Sequence, residues 1–142
     1  PAILALADAC KVSRHAAANR FIDLVERPTA LIVSVDGIIQ YCARSAELRE
    51  RHERLKTTKL SKGDRLPVHA QAARLTSEQV LAGHRTKPID GRWDHWFPNG
   101  GRGEIQEEVL ALGSYRRVLT VLTDNAWDES GTDDEQDSDR DD

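Results

Sequence analysis

The hydrophobic positions of the first 27 residues follow a helical period in two short runs. The second run extends from Arg14 to about Glu26. Ser13 stands just before it, where its hydroxyl can accept from the free N–H groups of the first turn, and Pro28 ends it. The apolar positions of the two runs are Ile3, Leu4, Ala7 and Val12, then Ala17, Phe21, Leu24 and Val25. Two short helices with a tight break predict a helix-turn-helix over residues 1–28.

Runs rich in β-branched residues follow. Residues 30–35 and 38–42 flank Asp36-Gly37. An Asp-Gly pair between two such runs is a strong β-hairpin signal, because both turn positions favour positive φ. Residues 117–123 alternate in the same way and predict another strand, whereas residues 68–81 predict a helix.

Three segments are ambiguous from their pattern alone. Residues 44–59 fit a helix or a basic loop, residues 93–97 a strand or a turn, and residues 104–112 a strand or a helix. The whole pattern predicts an α+β protein, in which the helix-turn-helix leads into a small domain with a mixed sheet and helices over residues 29–123.

Charge is distributed unevenly along the 142 residues. The net charge is −4, yet residues 128–142 carry nine acidic residues against one base, Arg140, so the remaining body is positive. Such an acidic, apolar-poor end predicts a disordered tail over residues 124–142. The tail either solubilises the protein or competes with a polyanion for the basic body.

Composition also bears on location. No apolar run approaches the roughly 20 residues that span a bilayer, and no secretory leader is recognisable, so we expect a cytoplasmic protein without a membrane partner. The chain begins with Pro1 and contains no Met, which predicts a segment processed or cut from a longer protein.

The sequence offers no complete catalytic or metal set. His52-Glu53-Arg54-Leu55-Lys56 resembles a zinc-peptidase helix, but Lys56 stands where the second histidine ligand is needed. The five histidines show no paired spacing, and Cys10 and Cys42 lack metal-ligand spacing. We therefore predict no catalytic residue, no metal ligand and no cofactor in this chain.

The helix-turn-helix is a candidate DNA-binding element. If it docks on DNA, the start of its second helix enters the major groove. The residues that would then face the bases are Ser13, Arg14, His15, Ala18 and Asn19. Arg14 suits guanine and Asn19 suits adenine. The motif carries little positive charge, however, and helix pairs of this shape also serve as plain packing units.

The aromatic residues Trp93, Trp96 and Phe97 lie close together in sequence. We expect them to close the core of the domain over residues 29–123. A sensor pocket lined by these rings is the alternative interpretation.

A resemblance to a known family involves the helix-turn-helix positions and the hairpin that follows. The residues concerned are Leu6, Ala7, Val12, Ser13, Ala16, Ala17, Arg20, Phe21 and Leu24, together with Ala30–Cys42. This pattern resembles the ImmA/IrrE family of metallo-endopeptidase-like bacterial regulators. Later features resemble the GAF-like sensor domain of its longer members: Gly63, Pro67, Trp96-Phe97, Glu107-Glu108 and the strand Leu119–Leu122.

In that family a zinc-peptidase helix with the motif HExxH precedes the helix-turn-helix segment. It has no counterpart here, so no catalytic or metal residue is carried over, and zinc is expected only in a peptidase domain outside this chain. The resemblance implies the regulatory, GAF-like sensor portion of a zinc endopeptidase that cleaves a helix-turn-helix repressor under stress. Its expected partners are that repressor, its own peptidase domain and a small-molecule signal. The alternative is a stand-alone DNA-binding transcriptional regulator with a ligand-sensing domain.

Overall fold

The computed structural model describes residue 3 and residues 14–83, 85–112 and 116–125, without the side chains of residues 14, 15 and 77. The elements in chain order are α1 (Arg14–Leu24), β1 (Thr29–Val35), β2 (Ile38–Arg44), α2 (Ala46–Leu55), a 3₁₀ turn (Gln71–Arg74), α3 (Ser77–Leu81), β3 (Ile89–Arg92), α4 (Trp93–Trp96), β4 (Glu104–Ala111) and β5 (Arg117–Asp124). The protein is therefore α+β, as expected.

Five strands form one sheet in the order β2-β1-β5-β4-β3. All four pairings are antiparallel, so the expectation of a mixed sheet was wrong. The hairpin signal at Asp36-Gly37 is confirmed: both residues have positive φ, 52° and 80°, and they join β1 to β2. A hairpin joins neighbouring strands in opposite directions, which favours the antiparallel arrangement.

One face of the sheet is covered by α2, the 3₁₀ turn, α3 and α4. We call it the helical face, and its core contains Ala30 and Ile32 of β1 packed with Leu48, Trp93 and Phe97. Because successive side chains of a strand point to opposite faces, Leu31 and Val33 of β1 lie on the other side.

Among the described residues, α1 and Ile3 cover the opposite face. Ala17, Ala18 and Ile22 of this helix pack with Leu31 and Val33 of β1 in a second buried cluster. Pro28 thus lies between two secondary-structure elements, α1 and β1, which share one buried core. Of residues 1–13, which would supply the first helix of the predicted helix-turn-helix, only Ile3 is among the described residues, so that motif stays a prediction.

Two expectations for α1 are corrected. The helix ends at Leu24 rather than near Glu26. Leu24 itself is 63% exposed, although it was expected on the apolar face, and Ile22 is buried in its place. Ile22 and Leu24 are two positions apart and therefore point to nearly opposite sides of the helix, of which only one stripe meets the sheet.

The single helix expected over residues 68–81 is replaced by a turn, the 3₁₀ segment and the short α3. The break falls at Leu75 and Thr76, which are extended. Thr76 Oγ1 accepts from the N–H of Gln79, and Gln79 Oε1 accepts from the N–H of Thr76. This capping box starts a new helix where the apolar pattern alone continues the old one.

The ambiguous segments are resolved by their tertiary contacts. Residues 44–59 contain the helix α2, and residues 93–97 contain the short helix α4 rather than a strand or turn. Residues 104–112 contain the strand β4, whose inward positions alternate with exposed ones at its start. The edge strand β3 has no apolar alternation and was not predicted.

The segment predicted to be a disordered tail, residues 124–142, begins with a residue of the sheet. Asp124 is the last residue of β5, is buried, and accepts a hydrogen bond at 2.9 Å from Arg51 of α2. The expected tail boundary at residue 124 is therefore corrected. Residues 126–142, which carry the acidic run, lie outside the described residues.

Ser45 joins three elements through one buried hydroxyl. Its Oγ accepts from the backbone N–H of Thr29 at 3.0 Å and of Leu48 at 3.3 Å, and donates to the carbonyl of Arg27 at 3.0 Å. The serine is thus the N-cap of α2 and also fixes the segment that leads from α1 into β1.

We expect Ser45→Ala to lower the free energy of unfolding by about 1–3 kcal/mol, because it removes the cap and leaves buried backbone groups unpaired. Urea denaturation at pH 7 measures the effect. Ser61→Ala, at an exposed loop serine, is the matched control and should change stability by less than about 0.5 kcal/mol. Equal effects of the two substitutions would contradict the role assigned to Ser45.

Candidate functional site

The structure only partly presents the predicted DNA-contact residues. Ser13 and the side chains of Arg14 and His15 lie outside the described residues. Ala18 is 2% exposed and packs against the sheet, so it is not available to contact bases, and that part of the prediction is corrected. Asn19 is exposed, and its Oδ1 accepts a long hydrogen bond of 3.5 Å from the hydroxyl of Tyr41.

The aromatic residues Trp93, Trp96 and Phe97 are buried in the core of the helical face. The ring of His52 packs against Phe97, with centroids 4.6 Å apart, and edge-on to Trp93 at 6.4 Å. These rings close the core, as the first interpretation expected, and none of the three lines the cavity found elsewhere in the molecule.

That cavity opens on the helical face, at the end of the sheet where the β1–β2 hairpin turns. Its volume is about 420 Å³, within the range of small-molecule sites. Ser34 of β1 and Val118 of β5 contribute from the sheet. The facing wall and mouth consist of residues from the 3₁₀ turn, α3 and the loop before them: Leu66, Val68, Ala72, Ala73, Leu75 and Val80. Aliphatic side chains thus form the facing wall, while the lining as a whole is about equally polar and apolar.

Three charged residues line the same cavity. Arg116 forms an exposed ion pair with Asp36. Arg65 has no ion-pair partner among the described residues, so the charged groups of the rim carry a net charge of +1. An aliphatic wall next to a cationic rim can take a ligand that is apolar at one end and anionic at the other.

Backbone hydrogen bonds hold the loop carrying Arg65 against β2. The carbonyl of Asp64 accepts from the N–H of Ile39 at 2.8 Å, and the carbonyl of Gly37 accepts from the N–H of Leu66 at 2.9 Å. The N–H of Gly63, where φ is +95°, donates to the carbonyl of Ile39 at 2.7 Å. Arg65 is therefore attached to the sheet edge through its neighbours on both sides.

Sequence reasoning did not find this site. Asp36 was recognised only as a turn residue, and Arg65 and Arg116 are 51 positions apart with no motif around either one. Their proximity follows from the antiparallel pairing of β1 with β5, which places Val35 opposite Arg117. The Asp-Gly turn is the one local signal that marked this end of the sheet.

No cluster of three or more His, Cys, Asp or Glu side chains suited to a metal occurs within residues 14–83, 85–112 and 116–125. His69 and His95 form an exposed edge-on pair with ring centroids 5.0 Å apart.

None of the helices within residues 14–83, 85–112 and 116–125 has the length and apolar content that crossing a lipid bilayer requires.

No protein-family model matches this sequence, and no characterised protein matches it at a significant level. The ImmA/IrrE resemblance and the GAF-like assignment therefore enter below as proposals.

Two buried polar groups on the helical face lie outside the cavity lining. Glu107 of β4 accepts a 2.7 Å hydrogen bond from the backbone N–H of Gln71, and burial raises the pKa of its carboxyl. His52 of α2 is equally buried, and Arg44 donates to its Nδ1 at 3.0 Å. Burial, and to a smaller extent the charges of Arg44 and Arg51, lower the pKa of His52 to about 4.

His52 is therefore neutral at pH 7, with its proton on Nε2. A second proton would have to occupy Nδ1, directly facing the Arg44 guanidinium. His52 stands first in the segment that resembles a zinc-peptidase helix. Its ring is instead part of the aromatic core, with Nδ1 already used by Arg44.

We expect acidification to destabilise the fold through His52. Its folded-state pKa is below the ordinary value of 6.5, so the unfolded chain takes up the proton first and stability is lost as the pH falls towards 4. Between pH 7 and pH 5 the loss amounts to about 2 kcal/mol. Urea denaturation across this range should show a smaller decline for His52→Gln than for the natural chain. Parallel pH profiles for the two proteins would contradict this account.

Proposed function

We propose that this chain is the non-catalytic, ligand-sensing regulatory portion of an ImmA/IrrE-like zinc endopeptidase. Its domain is GAF-like, and the parent protein relieves repression by cleaving a helix-turn-helix repressor. The single observation that carries the sensing role is the 420 Å³ cavity between the sheet and the helical layer. Pockets of this size with a few polar groups at the rim are typical of small-molecule sites.

The position of β1 offers a physical route from the cavity to α1. Ser34 lines the cavity, while its neighbour Val33 packs against α1 on the opposite face. A ligand that shifts the hairpin end of β1 also shifts the surface on which α1 rests. In the proposed parent, α1 belongs to the helical segment next to the peptidase domain, so ligand occupancy would reach that domain through α1.

The order of the secondary-structure elements, and the short connection between α1 and β1, also support the proposal. The helix α1 leads within five residues into β1, and Ser45 hydrogen-bonds to the connecting segment. This order, a helix joined directly to a sheet whose first two strands form a hairpin, is the order that the family resemblance implies.

Two measurements test whether this chain alone lacks bound zinc and peptidase activity. We expect the purified chain to contain far less than one zinc per molecule by elemental analysis after incubation with zinc and dialysis. We also expect it to leave a helix-turn-helix repressor uncleaved, as followed by gel electrophoresis and mass spectrometry. Stoichiometric zinc together with cleavage would overturn the proposal.

The second candidate function is a stand-alone DNA-binding regulator with a ligand-sensing domain. It is favoured by the exposure of Asn19 and Arg20 on the outer side of α1. The burial of Ala18 and the presence of Asp23 on the exposed surface of the same helix weigh against it.

A gel shift on operator DNA separates the two functions. The regulatory-portion proposal predicts only weak, sequence-independent binding that is lost in moderate salt. Sequence-specific binding that both Arg14→Ala and Asn19→Ala abolish would favour the DNA-binding regulator. Asp90→Ala, an exposed residue of β3 remote in sequence from α1, is the control.

A further inference from the structure

We infer that the cavity takes a small amphipathic anion: an apolar body with one carboxylate, held by the arginines of the rim. This inference rests on the proposed function, since both place the ligand in the same cavity. It adds the chemical class of the ligand, which follows from how charge and apolar surface are arranged around the opening.

The charge at the mouth is asymmetric. Asp36 is engaged by Arg116, which leaves the guanidinium of Arg65 as the one rim charge without an ion-pair partner among the described residues. A guanidinium presents a planar set of N–H donors that matches a carboxylate, and it stays charged at every physiological pH. An incoming anion thus meets the guanidinium of Arg65, while the guanidinium of Arg116 is held nearby by Asp36.

The backbone keeps these charges in place. Asp36 and Arg116 both have left-handed backbone conformations, with φ of 52° and 55°, at the two chain turns that meet at this end of the sheet. Residue 65 forms a β-bridge with Ile38, so its backbone is attached to the edge of β2. Asp36, in the hairpin turn, and Arg65, at the edge of β2, are therefore both attached to the sheet.

The interior selects the other end of the ligand. Leu66, Leu75, Val80 and Val118 present aliphatic side chains to the cavity. Burying an aliphatic chain against them is favourable by about 0.8 kcal/mol for each methylene group. A hydrophilic anion such as inorganic phosphate has no apolar surface to bury against these side chains. A medium-chain carboxylate can pack its alkyl chain against them and place its carboxylate next to Arg65.

The test compares two probes of equal chain length, octanoate and 1-octanol, by isothermal titration calorimetry on the whole chain at low salt. Both should bind, octanoate more tightly. Amide chemical shifts of Ala72, Ala73 and Leu75 should change with either probe, which locates binding in the cavity. Raising the ionic strength should weaken octanoate and leave 1-octanol unchanged, because only the first gains from exposed charges.

Two rim variants with opposite expected effects sharpen the test. Arg65→Ala should weaken octanoate binding three- to tenfold without affecting 1-octanol. Asp36→Asn should strengthen octanoate binding severalfold, since it removes the negative charge of the rim. Asparagine accepts the left-handed backbone as readily as aspartate does, so this variant keeps the turn. Arg54→Ala, which removes an exposed arginine of α2 outside the cavity lining, is the control for net charge.

The outcomes separate the inference from the function on which it rests. If 1-octanol binds as tightly as octanoate, or if Arg65→Ala and Asp36→Asn leave octanoate unchanged, the anionic class is wrong while the sensing cavity stands. If neither probe binds and no cavity amide responds, the sensing function proposed for this cavity fails as well.

Discussion

The two central strands of the sheet must be covered on both faces, and the rest of the structure depends on that requirement. Six of the seven residues of β1 and most of β5 are buried, including consecutive residues that point in opposite directions. An antiparallel sheet often leaves one face in water, but β1 is too apolar for that on either side. Among the described residues, α1 and Ile3 therefore cover one face, while the chain between β2 and β4 covers the other. The result is three layers, with the sheet in the middle.

The cavity arises because the residues that cover the helical face fill the space above the sheet incompletely. The segment from residue 56 to residue 83 contains only a 3₁₀ turn and a five-residue helix, with Ala72 and Ala73 facing the hairpin end of the sheet. Short side chains on a short element fill less space than a long helix with large residues. At the other end of the same face, the large side chains of Trp93 and Phe97 are fully buried. The aromatic residues thus belong to the closed part of the layer and the small residues to the open part.

His52 shows how a motif-like segment acquires a different role from its surroundings. On α2 its ring lies against Phe97 and Trp93, and Arg44 of the neighbouring strand occupies its Nδ1. Desolvation and the neighbouring guanidinium both favour the neutral ring. The helix that carries His52 is fixed at its start by Ser45 and at its side by the ion pair between Arg51 and Asp124. The same residues that hold α2 on the sheet therefore keep the histidine in the core.

Local signals were enough to predict several elements of this fold from the amino-acid sequence. The Asp-Gly turn with its two strands, the strand at residues 117–123 and the helix starting at Arg14 were all predicted, because each depends on propensities and spacing within about ten residues. Tertiary structure decided the rest. Residues 104–112 became a strand by pairing with β5, and Thr76 divided an apparent helix. Asp36, Arg65 and Arg116 came together only when the sheet formed. Such contacts join positions far apart in the chain, and no local pattern of side chains encodes the distance between them.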